Sequence, residues 1–132
     1  MAETIQFDLV APERAVASVR ADRVEAPGAE GIFTVLPNHA PLVTVLAPGV
    51  VRYHAEGSET RIFVRGGFAE ITPAGFTILA EEAVPVTEFD KEDIRQRIKN
   101  CEEDLSDSDS TEETRIFAAR ELEHLKEIKA AL

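Results

Sequence analysis

The sequence predicts a mainly β protein with an α appendage. An N-terminal two-sheet β-sandwich of about ten strands is expected over residues 1–86, and a C-terminal antiparallel helical hairpin over residues 87–132. Three observations predict it. All seven Gly and all seven Pro fall between Pro12 and Pro85, and none follows. The lysines Lys91, Lys99, Lys126 and Lys129 all lie beyond that point. Before residue 86, short apolar runs recur every eight to ten residues; after it, apolar residues recur at helical spacing. Gly and Pro punctuate strands and turns, whereas their absence amid Glu, Lys, Ala and Leu favours helix.

The strand runs follow one another closely. Residues 5–9, Ile-Gln-Phe-Asp-Leu, alternate apolar and polar side chains as a half-buried strand does, and Pro12 ends the run. Residues 15–19 and 23–26 are the next two. The Pro27-Gly28 pair reads as a turn into 31–35, and a run at 42–46 lies between Pro41 and a second turn at Pro48-Gly49. Residues 50–55 and 60–65 form a hairpin across Glu-Gly-Ser-Glu at 56–59. Residues 68–72 and 76–80 form another across Pro73, Ala74 and Gly75, and 81–86 is the last strand. So many short strands do not suit one open sheet, and two packed sheets are expected. Phe7, Leu9, Val35, Leu46, Phe63 and Ile78 are the expected core.

In the tail, Ile94, Ile98, Cys101 and Leu105 recur at i, i+4, i+7 and i+11, behind Asp90 as N-cap. The polar stretch at 106–110 breaks this helix. Ser110 and Glu113 fit a capping box for a second, in which Ala118, Leu122, Leu125 and Leu132 repeat the stripe with Ile128 beside it. Two narrow stripes joined by a short loop predict an antiparallel hairpin. Each buried Ile or Leu contributes about 1.5–3 kcal/mol, and ordering entropy offsets most of that. The hairpin is therefore expected to be marginal alone and to need a surface to dock on.

Acids outnumber bases 25 to 14, a formal net charge of −11. That argues against a nucleic-acid backbone or an anionic lipid surface as partner, since both need clustered Lys and Arg. No apolar run approaches the ~20 residues of a membrane helix, and residues 1–8 lack the basic and apolar regions of a signal peptide. A cytoplasmic protein that meets a membrane only through another protein is expected. The lone Cys101 cannot form an internal disulfide, and on its apolar stripe it fits a small buried hydrophobe. His39, His54 and His124 share no metal-ligand spacing, so no metal site is expected. Arg65-Gly66-Gly67-Phe68 precedes no helix and marks a bulge or close backbone approach rather than an anion cradle. The acids of 106–110 lack the central Gly and closing Glu of a calcium loop. No acid, base and nucleophile assemble, so a structural or regulatory subunit without a cofactor is expected.

The most informative segments are Pro27-Gly28-Ala29-Glu30-Gly31, Leu36-Pro37-Asn38-His39-Ala40-Pro41-Leu42 and Leu46-Ala47-Pro48-Gly49. Physically they are three rigid turns in a row, and rigid exposed loops make good docking surfaces. To these add the opening Phe7-Asp8-Leu9-Val10-Ala11-Pro12-Glu13, the run Val64-Arg65-Gly66-Gly67-Phe68-Ala69-Glu70-Ile71, and Leu79-Ala80-Glu81-Glu82-Ala83-Val84. In this order and spacing, the chain resembles the epsilon subunits of F-type ATP synthases, counterparts of the mitochondrial delta subunit, and leans toward the alphaproteobacterial branch. The resemblance covers the whole chain.

The resemblance implies a non-catalytic central-stalk subunit. Such a subunit binds gamma on one side and the polar loops of the c-ring at one end, turns with the rotor, and helps couple proton flow to ATP synthesis. Its place is the cytoplasmic side of the bacterial inner membrane. Glu30, Gly31 and Ile32 match the family's c-ring-facing turn, with Asn38, His39 and Ala40 near the same end. In members whose tail blocks hydrolysis, the hairpin reaches the catalytic alpha and beta subunits. Some bacterial members bind ATP through Asp-x-x-Arg-Ala; aligned on Asp90, this chain has Asp93 and Ile94 in place of Arg and Ala. An acid there repels phosphate, so ATP binding is not expected. The residues alone leave a second reading open, a free-standing β-sandwich binding module with a helical dimerisation tail pairing through Ile94, Ile98, Leu122 and Leu125. A cupin-like lyase or isomerase would need a His cluster the sequence lacks.

Overall fold

The structure, a computed structural model, describes residues 3–132. The chain forms β1 (Ile5–Ala11), β2 (Arg14–Ala21), β3 (Arg23–Gly28), β4 (Gly31–Val35), β5 (Leu42–Ala55), β6 (Ser58–Thr72), β7 (Gly75–Ala80) and β8 (Ala83–Pro85). A 3-10 turn (Val86–Glu88), α1 (Lys91–Ser106) and α2 (Glu112–Ala131) follow. Two compact units result, one ending at Pro85 and the other Val86–Leu132.

Eight strands stand where about ten were expected, because two pairs of runs fuse. The Pro48-Gly49 turn lies inside β5, and the Arg65-Gly66-Gly67-Phe68 segment lies inside β6. These two points face each other. Leu46 pairs with Gly67 and Pro48 with Arg65, so the ribbon keeps its register while it bends. Pro48 has no N–H to give, and the N–H of Arg65 donates instead to the Glu82 carbonyl at 3.0 Å. The sides of the strands change over at the same place. Ile62 and Val64 enter the core before the glycine pair, Ala69 and Ile71 after it; on β5, Leu46 does so before and Val51 after.

The bent ribbon belongs to both layers, so the hydrogen-bonded path is continuous: β2-β1-β7-β6-β5-β3-β4, with β8 on β6. One layer comprises β2, β1, β7, the second half of β6 and the first half of β5. The other comprises β8, the first half of β6, the second half of β5, β3 and β4. Aromatic rings close the gap between them: Phe7 lies 5.3 Å from Tyr53 and Phe33 lies 6.2 Å from Phe76 across the layers, while Phe7 and Phe76, 5.5 Å apart, are neighbours within the first. Phe7, Leu9, Val35, Leu46 and Ile78 are buried in this core. Phe63 is buried too, but two residues from Arg65 on the other side of β6, with that guanidinium 5.4 Å above its ring.

Two other turns sit later or tighter than the sequence suggested. Pro27-Gly28 is the end of β3, and the turn is Ala29-Glu30. Pro27 is tolerated because the β3–β5 ladder skips from Glu25 to Gly28. The β5–β6 hairpin closes on Glu56-Gly57 alone, with Ala55 opposite Ser58 and φ of +52° and +79°. Both central residues at positive φ define the primed turn whose twist suits a hairpin. The last strand shortens to Ala83–Pro85, with Glu81-Glu82 a bend before it.

In the tail, Asp90 caps α1, its carboxylate accepting from the Glu92 N–H at 2.9 Å. Thr111, not Ser110, caps α2 and accepts from the Thr114 N–H at 3.1 Å. The helices pack on one another, burying Ile94, Ile98 and Cys101 of α1 and Ala118, Leu122, Leu125, Ile128 and Ala131 of α2. Ala131 is buried in place of the expected Leu132, which is the C-cap. Leu105 departs from the expected packing: it is 36% exposed, one residue from the end of α1, before α2 has begun. Burial first, then the charges of Glu121 and Asp104, pushes the Cys101 thiol above its ordinary pKa.

Four outcomes follow. A Cβ at Gly67 would overlap the Leu79 carbonyl oxygen and come to 2.8 Å from the Ala80 Cα, at a φ of +129°. Gly67→Ala should therefore cost about 3–5 kcal/mol in urea unfolding. Gly57→Ala, at φ +79° with open space around it, should cost about 1–2 kcal/mol. A chain ending at Glu88 should still give one cooperative thermal transition and a β-type spectrum; a molten product would contradict it. Cys101 in the native chain should alkylate far more slowly than in urea.

Candidate functional site

The loop residues singled out from the sequence, Glu30, Gly31, Ile32, Asn38, His39 and Ala40, are all exposed, but they have different neighbours. Glu30 is at the tip of the two-residue β3–β4 turn, flanked by Gly28 opposite Gly31. The turn is tied to β5 by the Ala29 N–H, which donates to the Val45 carbonyl at 3.0 Å. Gly31 takes a φ of +135°, and Ile32 beside it is 72% exposed. Asn38 and His39 belong to the loop at the other end of β4. There Pro37 and Asn38 occupy the middle of a turn closed by the His39 N–H on the Leu36 carbonyl at 3.2 Å, with Asn38 at φ +66°. Pro followed by a positive-φ Asn is the type II combination. The Asn38 amide donates to Glu3 Oε2 at 2.9 Å, and His39 Nδ1 lies 2.7 Å from the Ala40 carbonyl. With Thr4, Arg20 and the β6–β7 turn, Asn38 and His39 line a cleft of about 310 Å³.

A surface that the sequence reading missed lies on the outer side of the first layer. Val45 pairs with Phe68, Phe68 with Leu79, and Leu79 with Val10, which makes one row across four neighbouring strands. All four side chains are exposed, Phe68 at 58% and Leu79 at 56%. Val43 extends the row, and with Phe68, Glu70, Thr77 and Leu79 it lines a shallow depression of about 330 Å³. The same side turns polar farther along β1 and β2, where Ser18 donates to Asp8 at 2.6 Å. A signal for this row was present. Leu-Val-Thr-Val-Leu at 42–46 and Ile-Leu-Ala at 78–80 are apolar on both sides of the strand, and such a strand needs cover on both.

The tail offers no comparable chemistry. Asp93, where the ATP motif has Arg, pairs with Arg97 at 3.1 Å, and Ile94 is buried. Ile94, Ile98, Leu122 and Leu125, which a dimerisation tail would use, are already buried within one chain. No group of His, Cys, Asp or Glu among the described residues is arranged to hold a metal ion. No helix among them is long and apolar enough to cross a membrane.

Comparison with known proteins agrees along the whole chain. The family described as ATP synthase, Delta/Epsilon chain, beta-sandwich domain matches residues 4–86. The ATP synthase epsilon chain of Parvibaculum lavamentivorans is 43% identical over 130 residues, 98% of each chain. That of Mesorhizobium japonicum is 44% identical, over all of this chain and 98% of its own. Among solved structures, a chain of the Euglena gracilis mitochondrial ATP synthase OSCP/F1/c-ring assembly superposes with a TM-score of 0.85 at 27% identity, over 97% of this chain and 81% of that one. A chain of the Tetrahymena thermophila mitochondrial ATP synthase central stalk and c-ring shares the fold, with a TM-score of 0.60 at 14% identity. With a family match over most of its length and relatives matched nearly end to end, the chain belongs to the ATP synthase delta/epsilon family, as an epsilon chain and a non-catalytic subunit of that complex.

Proposed function

We propose that this chain is a rotor subunit of the central stalk of a proton-translocating F-type ATP synthase. It docks gamma through the outer side of its first layer and the c-ring through its exposed loops, and so helps couple proton flow to ATP synthesis. The observation that carries this reading is the row Val45, Phe68, Leu79 and Val10, exposed on a chain of net charge −11. Exposed apolar side chains in one band across a rigid sheet mark a surface meant to be covered. Aromatic and large aliphatic anchors carry most of the energy of such interfaces. The likeness to a chain of the Euglena F1/c-ring assembly supports the choice of partner.

The two loops lie at opposite ends of β4 rather than near one end as expected, and each suits a contact beyond that with gamma. Glu30, Gly31 and Ile32 sit on a two-residue turn, and Asn38, His39 and Ala40 on a Pro-flanked one, so both lose little entropy on docking. The complex is membrane-associated, and this subunit sits on its cytoplasmic side, held through its partners. The hairpin is at most a weak inhibitor. On α2, Arg115, Arg120, Lys126 and Lys129 face Glu112, Glu113, Glu121, Glu123 and Glu127, four against five. An acidic loop on the catalytic subunits would gain little from it, since exposed ion pairs contribute about 0–1 kcal/mol.

Phe68→Glu should weaken assembly with gamma by about 2 kcal/mol or more, read as loss of the subunit from the purified complex, with the isolated chain still folded. Replacing Glu30, Ile32 and His39 by Ala should leave gamma binding intact but uncouple synthesis from proton flow. Normal proton-driven synthesis by that variant would refute the loop assignment. Deleting residues 89–132 should raise ATP hydrolysis of the complex by no more than about fivefold, the equivalent of ~1 kcal/mol.

A further inference from the structure

The outer side of the second layer carries a cationic cleft that docking onto the first layer does not use. Three of the six arginines before residue 86 converge there: Arg23 on β3, Arg52 on β5 and Arg61 on β6. His54, Glu25, Glu59 and Thr34 complete a cleft of about 340 Å³. The register sets two arginines opposite one another and a third opposite a histidine: Arg52 faces Arg61, and Arg23 faces His54. Like charges directly opposite one another in a sheet are destabilising, and nothing in the core calls for them, because all these side chains point outward.

The two carboxylates only partly offset this. Glu25 meets Arg52 at a long 3.4 Å, and Glu59 holds both Arg61 Nε at 3.0 Å and His54 Nε2 at 3.2 Å. Arg23 has no ion-pair partner among the described residues. The formal sum is three cations against two anions before His54 is counted. The hydrogen bond from Arg61, more than any other influence, holds the Glu59 carboxyl below its ordinary pKa, with the charges of Arg61, His54 and Arg52 assisting and burial opposing. Glu59 therefore stays ionised and fixes the edge of the cleft, which leaves Arg23 and Arg52 on either side of His54 with donors turned to solvent. Of the five N–H donors of the Arg52 guanidinium, the contact with Glu25 takes one.

We propose that this cleft binds a free tetrahedral oxyanion, phosphate or sulfate, between Arg23, Arg52 and His54. Guanidinium groups pair with such oxygens through paired, charge-assisted N–H bonds. One dianion bridging β3 and β5 would offset the like-charge pair of Arg52 with Arg61 and give Arg23 a partner.

The test uses the full chain. Sulfate and phosphate are titrated at constant ionic strength, set with chloride, while NMR follows the Arg Nε–Hε and His ring signals. Saturable shifts confined to Arg23, Arg52, His54 and Arg61 are expected. Arg23→Gln and Arg52→Gln should each weaken binding about tenfold, and Arg20→Gln, on the other layer, should leave it unchanged. Glu25→Gln removes a negative charge beside Arg52 and should tighten binding severalfold. Shifts that never saturate, that chloride reproduces, or that keep the same midpoint in the Arg52→Gln chain would overturn the site.

Discussion

The bend of the β5–β6 ribbon at Gly66 and Gly67 is the constraint on which the rest of the sandwich depends. A strand passing from one layer to the other has to turn without losing its partner, and here both strands turn together with register intact. Gly67 permits it in two ways. Its φ of +129° is open to glycine, and β7 comes so close that no Cβ fits. Pro48 across the ribbon suits the same point, where the Arg65 N–H has already turned to Glu82.

The outer surfaces follow from that bend. Because the alternation changes phase at Gly66 and Gly67, Phe68 points outward immediately after it and Ala69 and Ile71 point inward. Phe68 then stands in register with Val45 and Leu79, and the parallel pairing of β1 with β7 adds Val10. An apolar row thus crosses four strands contributed by distant parts of the chain. On the other layer the same alternation, in its earlier phase, puts Arg52, His54, Glu59 and Arg61 outward together. One sandwich therefore offers an apolar side suited to a protein and a charged side suited to an anion.

The helical unit shows a different balance. Its caps are polar and local, and its buried stripe is narrow, made mostly of one residue per turn on each helix. A lone thiol stays in that stripe as a small hydrophobe, with acids nearby that disfavour its ionisation. The nearly even charge of α2 gives it no strong electrostatic preference for a partner of either sign.

Much of this was legible in the residues themselves. The confinement of Gly and Pro to the first part of the chain, the strand alternation and the helical stripes depend on spacing along the chain, and backbone sterics and hydrophobic periodicity act at that range. The motifs in the turns led in the same way to the family. What the sequence did not settle was which interruptions end a strand. Pro48-Gly49 and Gly66-Gly67 look like turns locally and become a shared bend only because they lie opposite one another. Nor did it settle which apolar residues stay outside. Phe68 and Leu79 are as hydrophobic as Ile71 and Ile78, and only cross-strand register and the phase change decide that the first pair lines the surface and the second the core. The row of Val10 with Leu79 and the meeting of Arg23 with Arg52 join residues far apart in the chain. Such neighbours are set by strand order and pairing, which exist only once the sheet has formed.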